Sequence, residues 1–295
     1  MAALMLALLL PVHGYWREQH IEMRSEDIEL KFLPSKQEVR LVHIPKTSGT
    51  ALHQDATKLG KPMANTETCA YDPVEHCEDC DKWLATMIRE PRSHVLSMFF
   101  HCTYSHQKVP RLYTRNDTSL SDARRKSLDY KAFDMWLEFF NSDWKLENGY
   151  YDCYHPRNMQ SRYLTCADNR WKFSHGVGSM DMLKPDLEAA KETLNNMFYF
   201  GIKEEYETSL CMYVYQSTGQ FPEACECGFE GKQLRTTEVS HSIPPHSVDD
   251  LNAKQIEQID ALTEVDVQLY DYATDLFWKR VAFAEARSGK KISQC

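Results

Sequence analysis

The 295-residue sequence predicts an α/β domain: a parallel sheet flanked by helices, with a helical segment at its C-terminal end. Two observations carry this reading. Short apolar, β-branched runs alternate with longer stretches whose apolar residues recur at helical spacing, the pattern of strand–helix–strand units. Hydrophobic residues make up 42% of the chain and aromatic residues 12%, enough for one sizeable core and too much for a disordered chain.

Met1–Leu10 (MAALMLALLL) is an apolar run closed by Pro11. It is too short to span a bilayer, which takes about 20 apolar residues, and has the length of a signal-peptide core without the positive start. Residues 1–14 therefore read as a signal peptide or truncated signal anchor, residues 15–38 as a polar stem, 39–287 as the folded domain and 288–295 as a tail. Val39–Ile44 predicts a strand, Pro45–Thr50 a small-residue turn and Ala51–Leu59 a helix. Lys61–Asp81 reads as loop. Lys82–Ile88 predicts a second strand, Arg89–Arg92 a turn and Ser93–Cys102 an apolar-faced helix. Gln107–Lys126 reads as an exposed excursion. Helices follow at Tyr130–Phe140, Asn158–Leu164 and Pro185–Asn196, the last with proline near its first turn. Phe198–Ile202 predicts a strand and Glu204–Gln216 a helix. After a Gly228–Ser247 loop, Val248–Arg287 reads as helical, with Leu262, Val265, Leu269, Tyr272, Leu276 and Phe277 along one face.

Charge and cysteines narrow the class. The net charge of −9 argues against a nucleic-acid binder, leaving room for a local basic groove. Ten cysteines spread along the chain predict disulfides in an oxidising lumen. Cys77 and Cys80 beside His76 have metal-like spacing, but a structural zinc needs four ligands and Cys225-x-Cys227 is a poor second pair, so no metal is expected. Asn116-Asp117-Thr118 is a glycosylation sequon.

Two stretches carry the chemistry. In His43–Thr50 (HIPKTSGT) a strand ends in a turn that opens a helix. Backbone N–H groups then converge on one spot, and the helix terminus favours an anion there. Gly49 permits close approach, Lys46 supplies charge, and Thr47, Ser48 and Thr50 supply hydroxyls. The Walker pattern GxxxxGK[ST] is absent. Arg89–Ser97 (REPRSHVLS) repeats the context: Arg89 at a strand end and Ser97 two turns into the next helix can hold a second phosphate. Together they fit a donor with phosphates at both ends.

HIPKTSGT resembles the 5′-phosphosulfate loop of the Golgi carbohydrate sulfotransferases, and REPRSHVLS resembles their 3′-phosphate motif. Tyr154–Thr165 (YHPRNMQSRYLT), Phe198–Tyr215 (FYFGIKEEYETSLCMYVY) and Val265–Arg280 (VDVQLYDYATDLFWKR) are similar to segments of the heparan-sulfate 6-O-sulfotransferases. The resemblance covers roughly Val39–Arg280. It implies a P-loop NTPase-like fold, 3′-phosphoadenylyl sulfate as co-substrate, no metal, and a Golgi-lumenal, membrane-associated or secreted enzyme. By the same resemblance Lys46, Thr47, Ser48, Gly49, Thr50 and Ala51 hold the phosphosulfate, and Arg89 and Ser97 hold the 3′-phosphate. The acceptor would be a polysaccharide or glycan hydroxyl, with the 6-O position of a hexosamine in a heparan-like chain as the foremost expectation.

In-line sulfuryl transfer needs a base for the acceptor hydroxyl and a cation on the leaving phosphate. Lys46 suits the second task. The family's base is a histidine between the two phosphate motifs, in a segment that is much shorter here. Of the histidines in that interval, His76 is the expected base, His53 sits in the helix after the loop, and His101 lies beyond the interval. Gln160 and Arg162 are candidate acceptor contacts. Rival readings are a sulfotransferase of a uronyl 2-O or protein-tyrosine acceptor, a nucleotide-binding protein or kinase, and a non-catalytic glycan-binding relic.

Overall fold

The computed structural model describes residues 30–34, 37–70, 83–105, 130–148, 151, 153–166, 184–231, 234, 246–293 and 295. The expectations for the signal region, most of the stem, the sequon, His76, Cys77 and Cys80 lie outside the described residues.

Four strands form one sheet: β1 (Val39–Val42), β2 (Met63–Thr66), β3 (Leu84–Ile88) and β4 (Tyr199–Ile202). Their order is β2-β1-β3-β4, and every pairing is parallel. β1, β3 and β4 are buried along their whole length, as strands covered on both faces must be. β2 corrects the expectation of a loop at Lys61–Asp81. Its sequence, MANT, has one large apolar residue, the buried Met63, so no alternating pattern marks it. The ladder to β1, from Val39↔Met63 to Val42↔Thr66, makes it a strand.

Nine α-helices pack around the sheet among the described residues: α1 (Gly49–Lys58), α2 (Pro91–Phe100), α3 (Tyr130–Phe140), α4 (Asp143–Asn148), α5 (Met159–Thr165), α6 (Leu187–Asn196), α7 (Tyr206–Thr218), α8 (Ala253–Leu262) and α9 (Glu264–Ser288). Successive residues of a strand point to opposite faces, and β4 shows what covers each. The Tyr199 hydroxyl donates to the Ser209 carbonyl of α7 at 2.7 Å, while the next ring, Phe200, lies 4.8 Å from the Arg280 guanidinium of α9. Helices α7 and α9 therefore cover opposite faces. α1 joins the α7 side, where the Tyr206 hydroxyl donates to the buried Asp55 carboxylate at 2.9 Å.

The C-terminal stretch expected as one helical run breaks at Thr263, whose φ of −122° and ψ of 22° are not helical. The break serves a reciprocal cap. Asn158 Oδ1 accepts from the backbone N–H groups of Val265 and Asp266 at 2.9 and 3.2 Å, satisfying orphan donors at the start of α9. The Asp266 carboxylate in return accepts from the N–H groups of Gln160 and Ser161 and from the Ser161 hydroxyl, at 3.0, 2.8 and 2.6 Å. Burial raises the Asp266 pKa to about 6 in spite of these donors. Asn158 adopts φ 46°, a left-handed conformation that asparagine tolerates better than most residues. The buried face of α9 carries Val265, Leu269, Ala273, Phe277 and Val281, whereas Tyr272 and Leu276 are only half-buried.

Four disulfides tie the described residues: Cys69–Cys166, Cys102–Cys153, Cys211–Cys225 and Cys227–Cys295. Cys225 and Cys227 are thus committed to sulfur partners and unavailable to a metal. Such a set belongs to an oxidising, secretory-pathway compartment. No described helix is long and apolar enough to cross a membrane.

Candidate functional site

The chain leaves β1 towards β2 on one side and leaves β3 towards β4 on the other. The carboxyl ends of β1 and β3 therefore flank the point where the strand order reverses, the place where open parallel sheets bind ligands. The two sequence-derived motifs start at these two strand ends.

After β1, the turn at residues 45–48 opens α1. Lys46 and Ser48 both have positive φ, 66° and 75°. Such backbone costs energy for non-glycine residues and persists only where the surroundings fix it. The fixing groups are visible. The ring of buried His94, in α2, lies with Nε2 2.7 Å from the Pro45 carbonyl, and the Arg89 guanidinium donates through Nη1 to the Lys46 carbonyl at 2.8 Å. The Thr47 hydroxyl donates to the Ile44 carbonyl at 2.8 Å and is fully buried. It therefore shapes the turn and does not face an anion, contrary to the expectation for its hydroxyl. Ser48, at the N-cap of α1, makes no side-chain cap bond. Among the described residues no acceptor meets the first N–H groups of α1, Gly49 to Ala51, which leaves them to an external acceptor. Gly49 is required here: a Cβ at this position would lie 2.4 Å from His43 Cδ2.

After β3, Glu90 caps α2, accepting from the N–H groups of Arg92 and Ser93 at 3.0 and 2.6 Å, and Pro91 opens the helix. This helix terminus is occupied by its own carboxylate. An anion here must be held by side chains. Arg89 is the main one. Its Nε and Nη2 donate to Ser93 Oγ at 3.1 and 2.8 Å, so with the bond to Lys46 three of five N–H groups are used and two remain. Burial lowers the Arg89 pKa while Glu204 and Glu90 pull it back up; arginine stays charged under any such shift.

Gln160 explains the pose of Arg89. Its Oε1 accepts from the Arg89 N–H and its Nε2 donates to the Arg89 carbonyl, both at 2.8 Å, and it is fully buried. Gln160 is therefore a positioning residue, not the acceptor contact expected from sequence. Arg162 is also buried, donating through Nε to the Arg157 carbonyl at 3.1 Å on the side of α5 near Asp266. Neither side chain lines the cavity described below.

Lys46 is the central charge. Burial, then the neighbouring Arg89, lowers its pKa to about 8, with Glu67 pulling the other way. Its Nζ lies 3.4 Å from His101 Nδ1. Sequence reading set His101 aside; the structure brings it to the lysine. The usable signal was a polar stripe: Ser93, Ser97 and His101 recur every four residues along the PRSHVLSMFF helix and its π-helical continuation His101–Ser105, so they share one face. His101 stacks on Tyr154, with ring centroids 5.5 Å apart and planes at 14°. The Tyr154 hydroxyl lies 3.5 Å from Glu67 Oε1, a long hydrogen bond. Burial raises the Glu67 pKa. Burial also lowers that of His43 to about 4, so its 3.8 Å approach to Glu67 is a contact of a neutral ring, not an ion pair. His53, on α1, is a near neighbour of His43.

A cavity of about 410 Å³ opens beside the loop, between Ser48 and Ala51 on one side and Lys203, Glu204 and Tyr206 at the β4 end on the other. The structure thus brings Lys46, the start of α1 and Arg89 together and turns Gln160, Arg162 and the Thr47 hydroxyl away. No family model matches this sequence, and no curated protein matches it significantly.

Proposed function

We propose that this chain is a sulfotransferase that moves a sulfuryl group from 3′-phosphoadenylyl sulfate to a glycan hydroxyl in the lumen of the Golgi. The observation that carries the reading is the Arg89–Lys46 bond. It joins two anion cradles, one at each strand end of the switch point, and a nucleotide with two separate phosphate groups would use both. The first cradle has free helix N–H groups and a lysine. The second has an arginine fork with Ser97 on the same helix face. The neighbouring cavity has an acidic wall, which suits an uncharged ring better than a phosphate.

In this reading Lys46 neutralises charge on the phosphate as the sulfuryl group departs. Among acceptors, the 6-O position of a hexosamine in a heparan-like chain stands first, because the resemblance at Tyr154–Thr165 and Val265–Arg280 is to enzymes of that class. The fold would then be of the P-loop NTPase-like kind.

The test has two stages. Adenosine 3′,5′-bisphosphate should bind at least tenfold more tightly than ATP in a calorimetric titration. Labelled sulfate should then pass from the donor to one member of a glycan panel. Preference for ATP would overturn the reading. Tight bisphosphate binding with no transfer to glycan or to tyrosine peptides would identify a binding relic.

A further inference from the structure

We propose that His101 is the proton acceptor in this transfer, and that Lys46 caps its Nδ1 until the donor draws the ammonium away. The inference rests on the sulfotransferase reading.

Four features place His101 in that role. It stands in line with Ser93 and Ser97 on the helix face that meets Arg89, so it lies at the far end of the row that would hold the donor. Its Nδ1 faces Lys46 Nζ at 3.4 Å, and a charged lysine can only donate, so the imidazole must present a lone pair at Nδ1. A neutral ring with that tautomer is the form a base needs. The ring is held in place: it stacks on Tyr154, and the Cys102–Cys153 disulfide joins the residues next to each of these rings. Finally, the ring sits on a π-helical turn, His101–Ser105, a departure from α geometry found frequently at functional sites. Among the described residues, the charged or titratable groups shown around this cluster are Lys46 from the turn after β1 with Arg89 beside it, Tyr154 from the irregular segment before α5, and Glu67 just after β2 with His43 at 3.8 Å.

The step balances as follows. The donor's bridging oxygen attracts the Lys46 ammonium, which leaves Nδ1. The acceptor O–H proton passes to Nδ1 while its oxygen forms a bond to sulfur. The bond from sulfur to the bridging oxygen breaks, and its electron pair stays on the phosphate, against Lys46. The imidazolium then gives its proton to water. His101 is 8% exposed with Lys46 against it, so the ammonium must move for an acceptor hydroxyl to reach Nδ1.

His101→Asn tests the base, since the amide oxygen can still accept from Lys46 but cannot take up a proton. Bisphosphate affinity should stay within about threefold of wild type. The transfer kcat should fall by about 10²-fold or more, the range for loss of a general base, and the one-proton acid limb of its pH profile should vanish. A donor-independent arm tests the cap: in ¹⁵N spectra of the imidazoles, Lys46→Met should move the His101 Nδ1 signal. Near-normal transfer by His101→Asn, or an unchanged acid limb, would overturn the base assignment while leaving the sulfotransferase reading intact. An unmoved Nδ1 signal would overturn the cap. Failure of wild type to bind the bisphosphate would instead overturn the sulfotransferase reading, and the base assignment with it.

Discussion

Replacing Arg89 with lysine keeps the charge at the end of β3 and removes the fork. In the structure the guanidinium makes three hydrogen bonds, one to the Lys46 carbonyl and two to Ser93 Oγ, and has two N–H groups left for a phosphate. An ammonium is a point donor and cannot span these partners together. Hydrogen bonds to charged groups contribute about 1.5–3 kcal/mol. Loss of the paired contact to a 3′-phosphate therefore weakens bisphosphate binding by about 10- to 150-fold. Arg89 also steadies the Lys46 turn, so some weakening will extend to any nucleotide. The ratio of affinities for adenosine 3′,5′-bisphosphate and AMP removes that shared part. Calorimetric titration of both ligands into wild type and Arg89→Lys should show the ratio fall by at least tenfold, with a cooperative thermal unfolding transition retained. An unchanged ratio would show that Arg89 does not read the 3′-phosphate, and the pairing of the two cradles would lose its basis.

Three further outcomes follow from named contacts. With a Lys46 pKa near 8, bisphosphate affinity should fall as pH rises through that value, and Lys46→Arg should flatten the curve in the same titration. The sign for stability is opposite. The unfolded chain keeps this proton up to the ordinary value of 10.5 and the folded chain only to about 8, so the penalty for burying the charge fades across that window as pH rises. Removing the Cys102–Cys153 link by serine substitution frees a loop spanning 51 positions; chain entropy sets an upper cost of about 4 kcal/mol, read as a lower urea midpoint. Asn158→Ala removes the acceptor shared by the Val265 and Asp266 N–H groups and puts alanine at φ 46°, which together should cost about 2–3 kcal/mol in urea unfolding.

The sequence made the fold legible where burial wrote a pattern. β1, β3 and β4 are buried throughout, and their apolar runs announce them. β2 left no such mark, because an edge strand needs only ladder bonds to one neighbour and a single apolar anchor, here Met63. The C-terminal break at Thr263 was hidden because the periodicity of α8 runs almost unbroken into α9, while the cap that divides them comes from Asn158, more than 100 positions away. The site was legible in part for the same reason. Lys46 and Arg89 sit in local motifs whose turn and cap chemistry can be read in order along the chain. Gln160, His101 and Glu67 acquire their surroundings from other segments. Gln160 in particular has the composition of a sugar contact, and only the structure shows both ends of its amide spent on the Arg89 backbone.

The distribution of rigidity around the cleft bears on how it would work. Gln160 fixes the Arg89 backbone, and Asp266 fixes Gln160 through its N–H, so α9 braces the second cradle. His94 and Arg89 hold the first cradle through two of its carbonyls. Cys69–Cys166 ties the end of β2 to the end of α5, and Cys102–Cys153 ties the rings of His101 and Tyr154 to one support. Lys46 differs from all of these. Its carbonyl is clamped, yet its side chain is only partly buried and, among the described residues, its ammonium makes one long contact, to His101. A cation held by a weak contact on an otherwise braced scaffold can be drawn to a nearby anion at little cost, whereas a fully paired one could not. Electrostatic catalysis requires charge that is placed in advance and needs little reorganisation when the anion develops. The clamp on the Lys46 backbone and the loose hold on its ammonium meet both conditions.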